Sequence, residues 1–99
     1  MTMEIIKDAI AGTLESSDVL VKISPSTDGT LTLHVQSEVI KQFGKQIRAS
    51  VMQTLDALKV QAATVVVSDK GALDCIIRAR VQAAVLRAAG AREIDWAVL

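Results

Sequence analysis

The apolar residues of this sequence repeat with two different periods, and this change of period limits the possible folds more than any other feature. Two segments alternate apolar and polar residues, as half-buried strands do. Their apolar positions are Val19, Val21 and Ile23 in the first segment and Leu31, Leu33 and Val35 in the second. Asp28 and Gly29 lie between them and favour a turn, so we expect the two strands to pair as a hairpin.

Helical spacing follows in two longer segments. Apolar residues recur every three or four positions over residues 39–58 and again over 73–88. The pattern predicts Ser37 as the N-cap of the first helix and Gly90 as the end of the second. Between the helices, residues 63–67 read Ala-Thr-Val-Val-Val. This β-branched run indicates a strand that is covered on at least part of both faces.

The predicted order is therefore β-β-α-β-α, with the residues before Val19 left unassigned. A long helix between the second and third strands lets the third strand return parallel to the second. We expect an α+β fold, a two-layer sandwich in which a small mixed sheet carries both helices on one face. The other face would present a partly polar surface that a partner can contact, formed by Leu20, Lys22, Thr32 and His34.

A length of 99 residues corresponds to one domain, 1–99. The chain contains one Phe and one Trp, and its apolar residues are mostly small, so the core is thin and suits one sheet against one layer of helices. Residues 91–99 include Trp96 and end in apolar side chains. We expect this tail to fold back on the body or to dock into a partner.

Charge and cysteine content exclude several classes of protein. Eleven basic residues balance eleven acidic ones, whereas a nucleic-acid-binding domain is normally basic. No apolar run approaches the ~20 residues that span a bilayer, and acidic residues near the start argue against a signal peptide. A single cysteine excludes an internal disulfide and a zinc thiolate cluster. We therefore expect a cytoplasmic protein without nucleic-acid or membrane partners.

Few residues have the chemistry of a catalytic site. Residues 11–18 form a short, hydroxyl-rich segment in which Ser16 and Ser17 are either turn residues or accessible sites of modification. His34 and Cys75, each the only residue of its type, have no partner at a spacing that would make a nucleophile. The residues alone do not choose between the two serines, and they argue against an independent enzyme.

Arginines are concentrated in the last predicted helix and just after it. The segment between Asp74 and Glu93 contains no acid and four arginines, Arg78, Arg80, Arg87 and Arg92. The helix dipole accounts for cations near a helix C-terminus, and a docking surface for phosphates or an acidic partner is the alternative. At about 100° per residue, Arg80 lies near the apolar stripe, where it must either extend its guanidinium to solvent or pair with an acid such as Asp69 or Asp74. Arg78 lies toward the rim, where a phosphate or an acidic partner can meet it.

Two motifs together point to one family. Residues 12–16 read Gly-Thr-Leu-Glu-Ser, and residues 69–80 read Asp-Lys-Gly-Ala-Leu-Asp-Cys-Ile-Ile-Arg-Ala-Arg. In these motifs, and also at residues 41–44 and 47–48, the chain closely resembles the acyl carrier protein (gamma) subunit of citrate lyase. The resemblance covers most of the chain, over residues 9–89, and the second motif is long and unusual.

The resemblance implies a carrier subunit of a lyase complex that is not itself catalytic. In that family the serine after Gly-Thr-Leu-Glu, here Ser16, is joined by a phosphodiester to a 2'-(5''-phosphoribosyl)-3'-dephospho-CoA group. This arm carries acetyl and citryl thioesters while citrate is cleaved to acetate and oxaloacetate. The family usually continues Ser-Gly-Asp, whereas this chain has Ser17 before Asp18, so Ser17 is the competing attachment site. The implied partners are the citrate lyase alpha and beta subunits and the enzymes that transfer and acetylate the arm.

Two other functions stay open. The carrier subunit of malonate decarboxylase resembles this family and bears the same kind of arm on a loop serine, although residues 69–80 favour citrate lyase. A small assembly or regulatory module without an arm is the third interpretation. The ordinary helical acyl carrier proteins are excluded, because their Asp-Ser-Leu attachment triplet and their strongly acidic charge are both missing.

Overall fold

The computed structural model describes residues 3–37 and 42–90, with the backbone alone at residues 42 and 43. Its elements are β1 Ala9–Gly12, β2 Val19–Ser24, β3 Leu31–Ser37, α1 Gln42–Ala57, β4 Ala63–Asp69 and α2 Asp74–Ala88. This is the predicted α+β fold with one additional strand, β1, at the front. The predicted tail 91–99 with Trp96, and also Arg92, lie outside the described residues.

The four strands form one mixed sheet in the order β1-β2-β4-β3. β1 pairs with β2 and β2 pairs with β4 in antiparallel fashion, while β3 and β4 are parallel. The prediction that the strand after the first helix runs parallel to the strand before it is thus confirmed. The predicted hairpin between the strands now labelled β2 and β3 is wrong, because β4 lies between them.

The reason for this error is that alternation identifies the buried face of a strand and not its neighbour. The connection at residues 25–30 has to span two strand spacings, about 10 Å, to leave room for β4. Asp28 shapes this connection, since its Oδ1 accepts hydrogen bonds from the backbone N and from Oγ1 of Thr30. The backbone oxygen of Thr30 in turn accepts a hydrogen bond from the N of Ala63 at 3.2 Å. The connection is therefore fastened to the inserted strand and does not close a tight turn.

Strand β1 has too weak a pattern to be predicted. It consists of four residues, Ala-Ile-Ala-Gly, and alanine and glycine have low strand propensity. Its register on β2 runs from Ala9 opposite Ile23 to Gly12 opposite Leu20, which makes residues 13–18 a hairpin loop. Because β4 is antiparallel to β2 and parallel to β3, this loop lies at the same end of the sheet as the carboxyl ends of β3 and β4.

Alternate residues of the sheet face the two helices. Ile23, Leu33 and Val65 are neighbours in one row of the sheet, and each is at most 6% exposed. The buried helical residues that cover this face are Ile47, Val51 and Leu55 of α1 and Ile77, Val81, Ala84, Val85 and Ala88 of α2. The opposite face carries Leu20, Lys22, Thr32 and His34, as predicted. Lys22 and His34 are exposed there.

Ser37 is the last residue of β3, and the residues that it was predicted to cap as a helix N-terminus, directly after it, lie outside the described part of the chain. Its hydroxyl donates a hydrogen bond to Oδ2 of Asp69, its register partner on β4, at 2.9 Å. Asp69 is only 2% exposed, and its Oδ1 accepts a hydrogen bond from the backbone N of Ala72 at 2.9 Å. The Asp69 carboxylate therefore fastens the ends of β3 and β4 to the turn that leads into α2.

The position of β4 in the sheet predicts that the same substitution has very different effects on stability at two adjacent valines. Val65 is fully buried against the helices, whereas Val66 is half-buried on the opposite face. We expect Val65→Asp to remove several kcal/mol of the ~5–15 kcal/mol available to a domain, because it would bury an unpaired carboxylate. Val66→Asp serves as the matched control and should cost a small fraction of that. Urea unfolding of both variants measures the difference, and equal losses would show that the faces of β4 are misassigned.

Candidate functional site

The loop at residues 13–18, called the serine loop below, connects β1 to β2. Gly12 precedes it with a φ of +93°, and a Cβ added at this position would lie 1.8 Å from the backbone oxygen of Val19. Only glycine fits such a close approach with a positive φ. The glycine of the Gly-Thr-Leu-Glu-Ser motif is therefore required by the packing of one strand against the next.

The carboxylate of Asp18 organises the serine loop. Its Oδ2 accepts a hydrogen bond from Oγ1 of Thr13, and its Oδ1 accepts one from the backbone N of Val19, both at 2.7 Å. Arg80 of α2 donates to both carboxylate oxygens, from Nε at 3.2 Å and from Nη2 at 3.3 Å. These donors, the Thr13 hydroxyl first and the Val19 amide second, lower the pKa of Asp18 from 3.8 to about 2. An ionised Asp18 thus joins the two ends of the loop to α2.

The two sequence motifs meet at this loop. The backbone N of Ser17 donates to the oxygen of Lys70, and the N of Lys70 donates to the oxygen of Asp18, each at 2.9 Å. These bonds extend the pairing of β2 with β4 beyond Val19 and Asp69. The serine loop is therefore fastened to the start of the Asp-Lys-Gly motif by the backbone of Ser17 and Asp18, and to the end of that motif by the contact of Asp18 with Arg80.

Arg80 is paired, which is one of the two predicted alternatives, but neither Asp69 nor Asp74 is the observed partner. Its partner is Asp18, which lies 62 positions earlier in the chain. The carboxylate of Asp69 is instead bonded to Ser37 and to a backbone N in the following turn. Asp74 is engaged by Arg78. Helical spacing places Arg80 correctly near the core, but it contains no information about a partner on the other side of the fold.

Arg78 connects the two helices. Its Nε lies 2.8 Å from Oδ2 of Asp74, and its Nη2 donates to Oε1 of Gln53 on α1 at 2.8 Å. The Ser50 hydroxyl donates to Oδ1 of Asp74, and this bond, followed by the contact with Arg78, lowers the pKa of that carboxyl. Arg78 is partly exposed, and its guanidinium has partners within the chain. A docking role for it stays a prediction. Arg87 donates to the backbone oxygen of Ile10 at 2.7 Å and joins α2 to β1.

The two candidate serines occupy the centre of a turn. The backbone N of Asp18 donates to the oxygen of Glu15 at 3.1 Å, so Ser16 and Ser17 are the second and third residues of a four-residue turn. Both side chains are exposed, and no hydrogen bond to the Ser16 hydroxyl is found among the described residues. Ser17 has a φ of +67°. That left-handed conformation is typical of the third position of a type II turn, where glycine is favoured.

The remaining polar candidates form no second site. His34 is exposed on the open face of the sheet, and Cys75 is exposed near the start of α2. Within residues 3–37 and 42–90, no three His, Cys, Asp or Glu side chains are grouped so that they could hold a metal ion. No helix in the same part of the chain is long and apolar enough to cross a membrane.

Sequence comparisons find relatives that match nearly the whole chain. The profile of the family described as "Malonate decarboxylase delta subunit (MdcD)" matches residues 6–88. The citrate lyase acyl carrier protein of Pectobacterium carotovorum subsp. carotovorum (strain PC1) is 59% identical over 97 residues, which are 98% of this chain and 100% of that protein. The citrate lyase acyl carrier proteins of Enterobacter sp. (strain 638) and Albidiferax ferrireducens are 60% and 56% identical, and each match covers 95% of this chain and 96% of the relative.

A solved structure shares the fold. The crystal structure of a Pseudomonas malonate decarboxylase hetero-tetramer in complex with malonate contains a chain that superposes with a TM-score of 0.74. The match covers 87% of this chain and 88% of the other, at 21% sequence identity. At this identity the likeness concerns the fold alone.

The turn geometry predicts that only one of the two serines gains stability from replacement by glycine. We expect Ser17→Gly to raise the free energy of unfolding of the arm-free chain by about 1 kcal/mol, because a residue with a Cβ is strained at positive φ. Ser16 has no positive φ, so Ser16→Gly should leave the stability unchanged or lower it slightly. Urea unfolding compares the two variants with the parent. A loss of stability in Ser17→Gly would contradict the conformation described here.

Proposed function

This chain belongs to the family of citrate lyase acyl carrier proteins, and from this premise we propose that it carries acyl groups for citrate lyase on a 2'-(5''-phosphoribosyl)-3'-dephospho-CoA arm attached to Ser16. It is a non-catalytic carrier subunit of the lyase. The observation that carries the choice of residue is the exposed Ser16 hydroxyl at the tip of a turn that several contacts hold in place.

The serine loop fits the attachment of such an arm. A phosphodiester needs a hydroxyl that a transferring enzyme can reach, and Ser16 presents one without breaking a described hydrogen bond. The turn beneath it is held by the backbone bonds of Ser17 and Asp18 to Lys70. When bound, the arm supplies a terminal thiol that carries the acyl group as a thioester, whose thiol leaving group has a pKa of about 8.5.

The residues of the chain hold and present the arm and do not act as acid or base. A carrier anchored at one point keeps its cargo at an effective concentration near ~mM at each partner's site. The anchorage of the serine loop to β4 and α2 fixes the position of that point on the body of the protein. The residues of the two family motifs therefore act by positioning the attachment point of the arm.

Ser16 is preferred to Ser17 on two grounds. The turn places Ser17 in a conformation that suits glycine, and the resembled family usually has glycine there, so a hydroxyl at this position is dispensable. The backbone N of Ser17 is also occupied by Lys70, which fixes this residue closer to the sheet. Ser17 remains the competing attachment site because its side chain is exposed next to Ser16.

The proposed partners are the alpha and beta subunits of citrate lyase and the enzymes that transfer and acetylate the arm, all in the cytoplasm. A second candidate is the carrier subunit of malonate decarboxylase, which the matching family profile favours. We prefer citrate lyase because the relatives with that name are 56–60% identical, against 21% for the chain of the malonate decarboxylase structure. Reconstitution with each set of subunits distinguishes the two assignments.

Alanine substitution of each serine tests the attachment site. We expect Ser16→Ala to abolish attachment of the arm and Ser17→Ala to leave it intact, because only the first substitution removes the proposed ester oxygen. Each variant is expressed together with the arm-transferring enzymes, and intact mass followed by a peptide map measures the modification. Circular dichroism confirms that both variants are folded. Full modification of Ser16→Ala would move the site to Ser17, and an unmodified parent chain would overturn the carrier proposal.

A further inference from the structure

A pocket of about 350 Å³ lies beside the serine loop, with Leu14 of that loop in its lining. It is called the β3–β4 pocket here because it opens at the carboxyl ends of those strands, and its lining residues are Leu14, Gln36, Ser37, Ser68, Asp69 and Lys70. Gln36 and Ser68 are register partners on the open face of the sheet. Gln36, Ser68 and Lys70 thus contribute an amide residue, a hydroxyl residue and a basic residue to the lining.

The serine loop itself forms part of this pocket. Leu14 is two residues before Ser16, and its side chain is 57% exposed. The backbone oxygen of Lys70, another lining residue, accepts the hydrogen bond from the backbone N of Ser17. A group joined to the Ser16 hydroxyl therefore begins close in the chain to Leu14 and to a residue bonded to Lys70.

The chemistry of the pocket suits the root of the arm. The phosphodiester carries a negative charge, and Lys70 is a basic residue of the lining, a type that binds phosphate through charge-assisted hydrogen bonds. A ribose presents hydroxyls, which the Gln36 amide and the Ser68 hydroxyl can bond as donors or acceptors. Asp69 also lines the pocket, but it is 2% exposed and both of its carboxylate oxygens are bonded within the protein.

We propose that the β3–β4 pocket binds the phosphate and ribose at the root of the arm, and that it thereby fixes the direction in which the arm leaves Ser16. The inference rests on the proposed function, since the arm is its ligand. Binding at the root restrains the first part of the arm and leaves the thiol end free to reach a partner's site.

Comparison of the arm-bearing and arm-free chains by NMR tests this inference. The chain is loaded by the arm-transferring enzymes, and loading is verified by intact mass. We expect the backbone amide shifts of Gln36, Ser68 and Lys70 to differ between the two forms several-fold more than those of Thr32 and Thr64. The two threonines are register partners on the same face, four residues earlier in each strand and about 13 Å away.

Substitutions in the pocket provide the second measurement. Gln36→Ala and Ser68→Ala should each shift the ³¹P resonance of the phosphodiester toward that of the short arm-bearing peptide released by proteolysis, while Thr32→Ala and Thr64→Ala should not. All four variants should still accept the arm, as judged by mass. A pocket variant that slows loading but leaves the ³¹P resonance unchanged would assign the pocket to the transferring enzyme and overturn the inference.

Different experimental results would contradict this inference and the proposed function. If the arm is attached but shift differences are confined to residues 13–18, the arm extends freely into solvent and only the pocket inference is wrong. If no arm is attached to either serine, the carrier proposal fails and the pocket inference fails with it. Attachment at Ser17 would leave the shift comparison valid, because Ser17 is the neighbour of Ser16 and its backbone N is bonded to Lys70, which lines the pocket.

Discussion

The carboxylate of Asp18 is the group on which the geometry of the serine loop depends. It accepts hydrogen bonds from the first residue of the loop, Thr13, from the first amide of β2, Val19, and from Arg80 on α2. A hairpin loop with two serines at its tip would otherwise have many conformations. Because one ionised side chain joins both ends of the loop to a helix, the Ser16 hydroxyl is presented from a defined point on the surface.

The sheet topology makes this arrangement possible. Insertion of β4 between β2 and β3 brings Lys70 beside Asp18 and Ser37 beside Asp69. With β2 and β3 paired directly, the Asp-Lys-Gly motif would not adjoin the serine loop. Strand β4 thus has two roles. Its residues Ala63, Val65 and Val67 are fully buried in the core, and its end places the Asp-Lys-Gly motif beside the serine loop.

The sequence predicts part of this arrangement, and there are physical reasons why the other features could not be predicted from it. Alternation identified the buried faces of the strands, but the neighbours of β2 depend on contacts between distant segments, so the hairpin prediction was wrong. Strand β1 is not predicted from the sequence, because alanine and glycine have low strand propensity. The serine loop was found from its composition and from the family resemblance. The contact of Arg80 with Asp18 could not be found, because 62 positions separate the partners and two other acids lie nearer in sequence.

The measurement that tests the account most directly is the pKa of the Asp18 carboxyl in the folded, arm-free chain, obtained from its ¹³C resonance during an acid titration. The contacts described here predict a pKa of about 2 in place of 3.8. Since the folded-state pKa is the lower one, the stabilisation by this group is complete above pH 3.8 and is lost as the pH falls toward 2. The amide resonances of Ser17 and Lys70 should follow the same titration. A pKa close to 3.8, with those two amides unaffected, would contradict the role assigned to Asp18.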